Sequence, residues 1–241
     1  MINRAIAFQH MDNEPPGLFG EFLAAHGAAL DVIHLHRGEE IPFLATYDFM
    51  LVMGGAMDVW EEAQNPWLIP EKAAIREWAV NRNRPFFGVC LGMQLLAEAL
   101  GGQVGLARAA EVGIGRIDLT GSHMLSQGLP QHFQMMQWHH AEVKILPEGA
   151  EILASSNVSE VQIMAVGDNI IGTQFHGELT PELVTQWSRI PQYISWLEQS
   201  LGAGAYERVR SEALPLMPNM RAVSEAMFNN VIAGQALRAA A

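Results

Sequence analysis

The single cysteine of the chain, Cys90, lies in residues 85–94, which read PFFGVCLGMQ. Gly88 and Gly92 flank it at two residues' distance, after an apolar run and before a helix-forming run. Paired glycines at this spacing permit a tight strand-to-helix turn that presents the side chain between them, as in a nucleophile elbow. A helix N-terminus also favours a thiolate over a thiol. We therefore interpret Cys90 as a nucleophile, because a buried core cysteine would require neither glycine.

A candidate general base ends a second apolar run, in residues 170–178, which read IIGTQFHGE. His176 lies at the end of this run, and Glu178 follows two residues later. Residues two apart on a strand point to the same side, so Glu178 can orient the imidazole and stabilise its charged form. His176 can then accept the thiol proton and later protonate a leaving nitrogen. The sequence thus predicts a triad of Cys90, His176 and Glu178.

A cysteine nucleophile that attacks a carbonyl also needs fixed donors for the oxyanion. The backbone N–H of Leu91, the residue after the nucleophile, is one candidate. Gly54 and Gly55 follow another predicted strand and allow the backbone to approach a substrate closely, although a plain Gly-Gly turn would look the same.

Bulk properties exclude several classes of protein. The chain has 241 residues and a formal net charge of -12, which disfavours a nucleic-acid partner. A lone cysteine forms no intrachain disulfide and is typical of a reducing compartment, so we expect a cytoplasmic protein. The N-terminal run is interpreted as a first strand and not a signal peptide, and no apolar run approaches the ~18 residues of a membrane span.

Strands and helices alternate through the first half of the sequence, which predicts a parallel sheet covered on both faces. The predicted strands are 4–8, 29–35, 47–53 and 85–89, and the predicted helices are 17–26, 69–81 and 91–100. The middle of the chain favours short antiparallel strands, at 114–120, 142–145, 151–155, 162–166 and 170–175. Beyond Thr180 the pattern is helical, with predicted breaks at residues 202–204 and 214–218.

Three segments together resemble the class I (triad) glutamine amidotransferases. They are the elbow at 88–94, the Gly54-Gly55 loop and QFHGE at 174–178, in the order of that family and within a resemblance that covers residues 2–187. The branch it is most similar to is free-standing and related to the amidotransferase domain of GMP synthase. The resemblance implies a flavodoxin-like three-layer α/β sandwich: a mostly parallel central sheet, late antiparallel strands and a C-terminal helical extension. We expect the amidotransferase domain to span residues 1–190 and the extension 191–241.

The resemblance also implies a reaction: Cys90 attacks the side-chain amide of L-glutamine, ammonia leaves, and water hydrolyses a γ-glutamyl thioester. Gly55 and Leu91 would supply the oxyanion donors. The residues implied to bind substrate are Gly54, Gln94, Gln137 and Trp138. No cofactor is implied, and the ammonia would pass to a separate synthase. The family's His-Gly-Asp is replaced here by His139-His140-Ala141.

Several alternatives remain open at this point. The same chemistry would serve a γ-glutamyl peptidase or hydrolase, and Cys90 could act as a non-catalytic thiol sensor on the same fold. No metal site is predicted: adjacent His139 and His140 point to opposite faces of a strand, and the pair His34 and His36 lacks a third ligand in the sequence. The C-terminal helices could cover the site, form a homodimer or pack as an extension.

Overall fold

In the computed structural model, which describes residues 2–187 and 190–239, nine strands form one mixed sheet. Their order across the sheet is β2-β1-β3-β4-β9-β8-β7-β5-β6. The strands are Arg4–Gln9 (β1), Ala29–His34 (β2), Phe49–Val52 (β3), Phe86–Val89 (β4), Gln103–Leu119 (β5), His132–Ile145 (β6), Ala150–Ser155 (β7), Ile163–Val166 (β8) and Ile170–Thr173 (β9). The helices are Gly17–Ala25 (α1), Leu68–Arg76 (α2), Leu91–Ala99 (α3), Pro181–Trp187 (α4), Pro191–Leu201 (α5) and Ala205–Ala239 (α6).

The first half of the sheet is parallel, as predicted. β2, β1, β3, β4 and β9 all run in the same direction. β9 lies beside β4 although about 80 residues separate them along the chain, with Gly88 opposite Gly172 and Val89 opposite Thr173. Because carboxyl ends of parallel strands meet at one edge of a sheet, the segments after β1, β3, β4 and β9 converge there. That edge carries all three segments of the predicted catalytic site.

The second half is antiparallel, as predicted, but two strands are longer than the sequence indicated. β5 begins at Gln103 instead of residue 114, and β6 begins at His132 instead of residue 142. Much of β5 is exposed, and its pairing with β6 is interrupted by a register shift between Leu106 and Glu111. The exposed first half of β5 carries no regular apolar alternation, so periodicity did not mark the start of that strand.

Helices cover both faces of the sheet. α1 and the C-terminal part of α6 pack on one face, and α2 and α3 pack on the other. A smaller apolar cluster joins α4, α5 and the start of α6 above Met136 of β6. The arrangement is the predicted three-layer α/β sandwich. None of the helices in the described part of the chain is both long and apolar enough to span a bilayer.

The predicted break at residues 202–204 is confirmed, because α5 ends at Leu201 and α6 begins at Ala205. The second predicted break is wrong: α6 continues through Pro215 and Pro218. A proline removes one helical hydrogen bond and costs about 3 kcal/mol. Burial of Met217 and Met220 next to the prolines holds the helix in place against that cost.

The last helix completes the main core. Phe228 of α6 is fully buried, and its ring lies 5.6 Å from Phe22 and 5.4 Å from Phe49, measured between ring centroids. The division into a domain at 1–190 and an extension at 191–241 stays a prediction, but this ring ties α6 to the sheet.

We expect Phe228→Ala to lower the free energy of unfolding of the whole chain by about 3 to 5 kcal/mol, because it leaves a cavity in the main core. Urea unfolding monitored by circular dichroism measures the change. Phe43→Ala is the matched control, since Phe43 is 74% exposed and should cost under about 1 kcal/mol. Equal stability of the two variants would show that α6 does not belong to the core.

Candidate active site

The turn between β4 and α3 holds Cys90 in a strained conformation, with φ 49° and ψ -104°. Its N–H donates a 2.7 Å hydrogen bond to the carbonyl of Thr173 in the neighbouring strand. A Cβ on Gly88 would lie 2.7 Å from backbone atoms of Gly92, and a Cβ on Gly92 would lie 2.1 Å from the carbonyl oxygen of Val52. A side chain at either position would therefore clash with the neighbouring backbone, so both positions require glycine. The turn presents Cys90 at the end of β4.

His176 and Glu178 lie together directly after β9. Nδ1 of His176 is 2.6 Å from Oε1 of Glu178, and both side chains are almost fully buried. The backbone fixes both residues: the N–H of His176 donates to the carbonyl of Met136, and the carbonyl of Glu178 accepts from Leu18 in α1. The sheet and α1 thus hold this pair in a single orientation.

Both Glu178 and Cys90 act on the charge of His176. Burial by itself would lower the pKa of His176, but the carboxylate of Glu178 and the thiol of Cys90 outweigh it and raise that pKa well above its usual value. Nε2 of His176 has no hydrogen-bond partner in the described residues, while the amide of Gln174 donates towards Sγ of Cys90, at 3.5 Å. The raised pKa favours the charged form of the imidazole.

The two residues that carry the predicted oxyanion donors, Gly55 and Leu91, lie close together. A Cβ on Gly55 would lie 2.8 Å from a side-chain methyl of Leu91. Within residues 2–187 and 190–239, no protein group accepts a hydrogen bond from the N–H of Gly55 or of Leu91. Unpaired amides near a nucleophile are the arrangement that an oxyanion requires. Gly54 lies behind them, against Glu14 and His176.

Cys90, His176 and Gly55 border a cavity of about 230 Å³. Two carboxylates, several aromatic rings and no lysine or arginine line it in the described part of the chain. The lining residues are Glu14, Gly55, Ala56, Met57, Asp58, Cys90, Gln94, Trp138, His139, His140, Ala141, His176, Tyr193 and Trp196.

Two of the predicted substrate-binding side chains reach the cavity and one does not. Gln94 lines it while its amide donates to the carbonyl of Ala141, at 3.1 Å. Trp138 also lines it, and its carbonyl lies 3.9 Å from Sγ of Cys90. The side chain of Gln137 is fully buried away from the cavity and donates to Gln162. Gln137 contributes to this region through the backbone of β6 only.

The adjacent histidines both line the cavity but have different partners. His139 is buried, with Nε2 3.2 Å from Glu111 and Nδ1 3.1 Å from the carbonyl of Ala141. His140 is 3.1 Å from the carboxylate of Asp58, which also lines the cavity. His140, which stands where the family has glycine, therefore adds a polar contact to the cavity wall.

The structure brings a third group to the pair His34 and His36, which the sequence did not reveal. Asp12 lies within reach of both, and its Oδ1 is 2.7 Å from Nε2 of His36. The same oxygen accepts hydrogen bonds from the guanidinium of Arg37. A cation already neutralises this carboxylate, so we interpret the group as a surface ion-pair network.

Sequence reasoning missed Glu14, which lies close to His176, and Tyr193, which binds Glu14. Glu14, in the loop after β1, is 5% exposed, and its Oε2 has no hydrogen-bond partner in the described residues. That oxygen and Cε1 of His176 both lie against Gly54. Oε1 of Glu14 accepts a hydrogen bond from the hydroxyl of Tyr193 in α5. Burial raises the pKa of Glu14, and the facing His176 opposes that effect. No motif marked either residue, because the contact joins segments that are about 180 residues apart.

Comparison with known proteins identifies the family. The sequence model described as "Glutamine amidotransferase class-I" matches residues 21–186. The chain belongs to the class I glutamine amidotransferase family.

Three curated relatives show the range of the similarity. A glutamine-hydrolyzing GMP synthase subunit of Saccharolobus solfataricus is 37% identical over 154 residues, covering 64% of this chain and 78% of the relative. The GMP synthase of Thermomicrobium roseum is 34% identical over 130 residues, which cover 54% of this chain and only 23% of that longer protein. Gamma-glutamyl peptidase 4 of Arabidopsis thaliana is 27% identical over 175 residues, covering 69% of this chain and 68% of the relative.

Among solved structures, a glutamine amido transferase from Methylobacillus flagellatus matches with a TM-score of 0.87 and 26% identity. The match covers 97% of this chain and 96% of that one. The similarity therefore extends through the C-terminal helices, beyond the region that the family model matches.

We expect Glu14→Gln to move the basic limb of the pH–rate profile to lower pH. The ionised carboxylate of Glu14 favours the charged form of His176, so its removal lowers the pKa of His176 and the imidazolium is lost at lower pH. The measurement is kcat/KM between pH 6 and 10.

Glu148→Gln, at an exposed carboxylate, is the matched control and should leave the profile unchanged. An unshifted basic limb in Glu14→Gln would show that Glu14 does not act on His176.

Proposed function

We propose that the chain hydrolyses the side-chain amide of L-glutamine through a γ-glutamyl thioester on Cys90. The observation that supports this most is the convergence of Cys90, His176 and Gly55 on one cavity, with Glu178 bound to His176 behind it. Family membership supplies the substrate class, since the matching family is that of glutamine amidotransferases.

The proposed reaction has two halves. The thiolate of Cys90 attacks the amide carbon, and the N–H groups of Gly55 and Leu91 stabilise the oxyanion. The imidazolium of His176 protonates the leaving nitrogen, the C–N bond breaks, and ammonia departs. His176 then takes a proton from water, whose oxygen attacks the thioester, and glutamate leaves as the thiol is restored. Glu178 holds the imidazole tautomer and stabilises its charge throughout.

The ammonia would pass to a separate acceptor-activating synthase. The relative from Saccharolobus solfataricus is named as one subunit of GMP synthase and has 78% of its length covered, which supports a free-standing amidotransferase with a partner. The homodimer that the sequence left open stays a prediction.

Release of ammonia and glutamate from L-glutamine by the purified chain tests the proposal. Cys90→Ala should abolish the release while thermal unfolding stays within a few degrees of the unmutated chain. His176→Ala should slow it by about 10⁴-fold or more, and Glu178→Gln by less, because the orienting group does not itself transfer the proton. Release that survives Cys90→Ala would contradict the assignment of the nucleophile. If no amide releases ammonia, the result would favour a thiol sensor.

A second candidate function is hydrolysis of a γ-glutamyl peptide or amide with a larger leaving group. Two observations favour it: the similarity to gamma-glutamyl peptidase 4, and the aromatic wall that continues the cavity beyond Cys90. The rings of Trp138, Tyr193 and Trp196 form that wall, with Trp138 5.4 Å from Tyr193 and 5.5 Å from Trp196 between centroids.

Trp196→Ala separates the two candidates. If larger γ-glutamyl amides are the substrates, loss of the aromatic contact should raise KM for γ-glutamyl-phenylalanine by about three- to tenfold and leave KM for glutamine within twofold. Steady-state kinetics on both substrates measure the split. An equal change for both, or no turnover of the peptide by the unmutated chain, would favour glutamine hydrolysis.

A further inference from the structure

A buried histidine lies behind the oxyanion loop and takes no part in the proposed triad. His10 follows β1 directly, and its Nδ1 is 2.8 Å from the carbonyl oxygen of Gly54. Its Nε2 is 2.8 Å from Oε1 of Glu71 in the first turn of α2, and both side chains are fully buried. The ring of Trp67 stacks on His10, with centroids 5.2 Å apart and planes inclined by 10°.

The partners of His10 determine which ring nitrogen donates to Gly54. A backbone carbonyl accepts hydrogen bonds and cannot donate them, so Nδ1 of His10 carries a proton and donates it to Gly54. Burial alone would lower the pKa of His10, but the charge and the hydrogen bond of Glu71 raise it above its usual value, which favours a proton on Nε2 as well. His10 is therefore a hydrogen-bond donor held between Glu71 and Gly54.

The carbonyl that His10 binds belongs to the peptide whose N–H is the proposed oxyanion donor. The peptide is planar and trans, so the C=O of Gly54 and the N–H of Gly55 point in opposite directions. Holding that oxygen fixes the direction of the N–H. A hydrogen-bond donor on the oxygen also polarises the peptide and strengthens its N–H as a donor.

We propose that the His10–Glu71 pair is a positioning device for the oxyanion hole, which locks the peptide between Gly54 and Gly55 with its N–H towards the reacting carbonyl. This inference rests on the proposed function, since it assigns the support of an oxyanion donor in that reaction. Stacking by Trp67 restricts the ring of His10 to the plane that reaches Gly54. The pair thereby connects α2 to the candidate site, whose other residues lie in the segments after β3, β4 and β9.

Two reactions of Cys90 distinguish this role from a general structural one. Acylation by a γ-glutamyl amide passes through an oxyanion, whereas alkylation by iodoacetamide displaces iodide and forms none. Loss of support for the oxyanion hole therefore slows acylation alone, whereas displacement of Cys90 or His176 slows both acylation and alkylation.

The experiment compares single-turnover release of p-nitroaniline from γ-glutamyl-p-nitroanilide with the rate of iodoacetamide alkylation at pH 7.5. We expect His10→Ala to slow acylation about 100-fold, as loss of one oxyanion donor does, and to change alkylation less than twofold. In steady-state assays with glutamine, kcat should fall and KM should change less than threefold. His132→Ala, at an exposed histidine, is the control and should change neither rate.

A second variant keeps the test decisive if His10→Ala does not fold. Glu71→Gln preserves the shape of the side chain but removes the charge that keeps His10 protonated, so acylation should slow about tenfold with alkylation unchanged. Equal losses in acylation and alkylation, or no loss of acylation, would overturn the inference. Absence of Cys90-dependent acylation in the unmutated chain would instead overturn the proposed function, and this inference with it.

Discussion

The pairing of β4 with β9 is the constraint on which the candidate site depends. These strands are adjacent and parallel, so the residues that follow them, Cys90 and His176, emerge side by side at one edge of the sheet. The hydrogen bond from the N–H of Cys90 to Thr173 extends this pairing into the turn itself. A shift of one residue in the register would point His176 to the opposite face and separate it from the thiol.

Three buried histidines near that edge are each held by a buried carboxylate. The pairs are His176 with Glu178, His10 with Glu71 and His139 with Glu111. Glu178 lies two residues after its histidine, whereas the other two carboxylates come from distant parts of the chain. A buried charge is costly unless a partner compensates it, so each pair restricts its histidine to a narrow set of orientations. Rigid histidines in turn fix the backbone of the loops that line the cavity.

The C-terminal helices belong to both the core and the site. α6 places Phe228 against the sheet, while α5 places Tyr193 and Trp196 in the wall of the cavity. The hydroxyl of Tyr193 donates to Glu14, which in turn faces His176. The helices beyond the matched family region thus form part of the wall of the cavity.

The candidate triad, the elbow glycines, the candidate oxyanion donors and the alternation of parallel strands could all be predicted from the sequence. Each depends on local spacing or on the 2-residue and 3.6-residue periods of apolar side chains. The extent of β5 and β6, the passage of α6 through Pro215 and Pro218 and the contacts of His10 and Glu14 became visible in the folded chain alone. Those features depend on contacts between distant segments: a buried carboxylate looks like any surface glutamate in a sequence until the fold removes it from water.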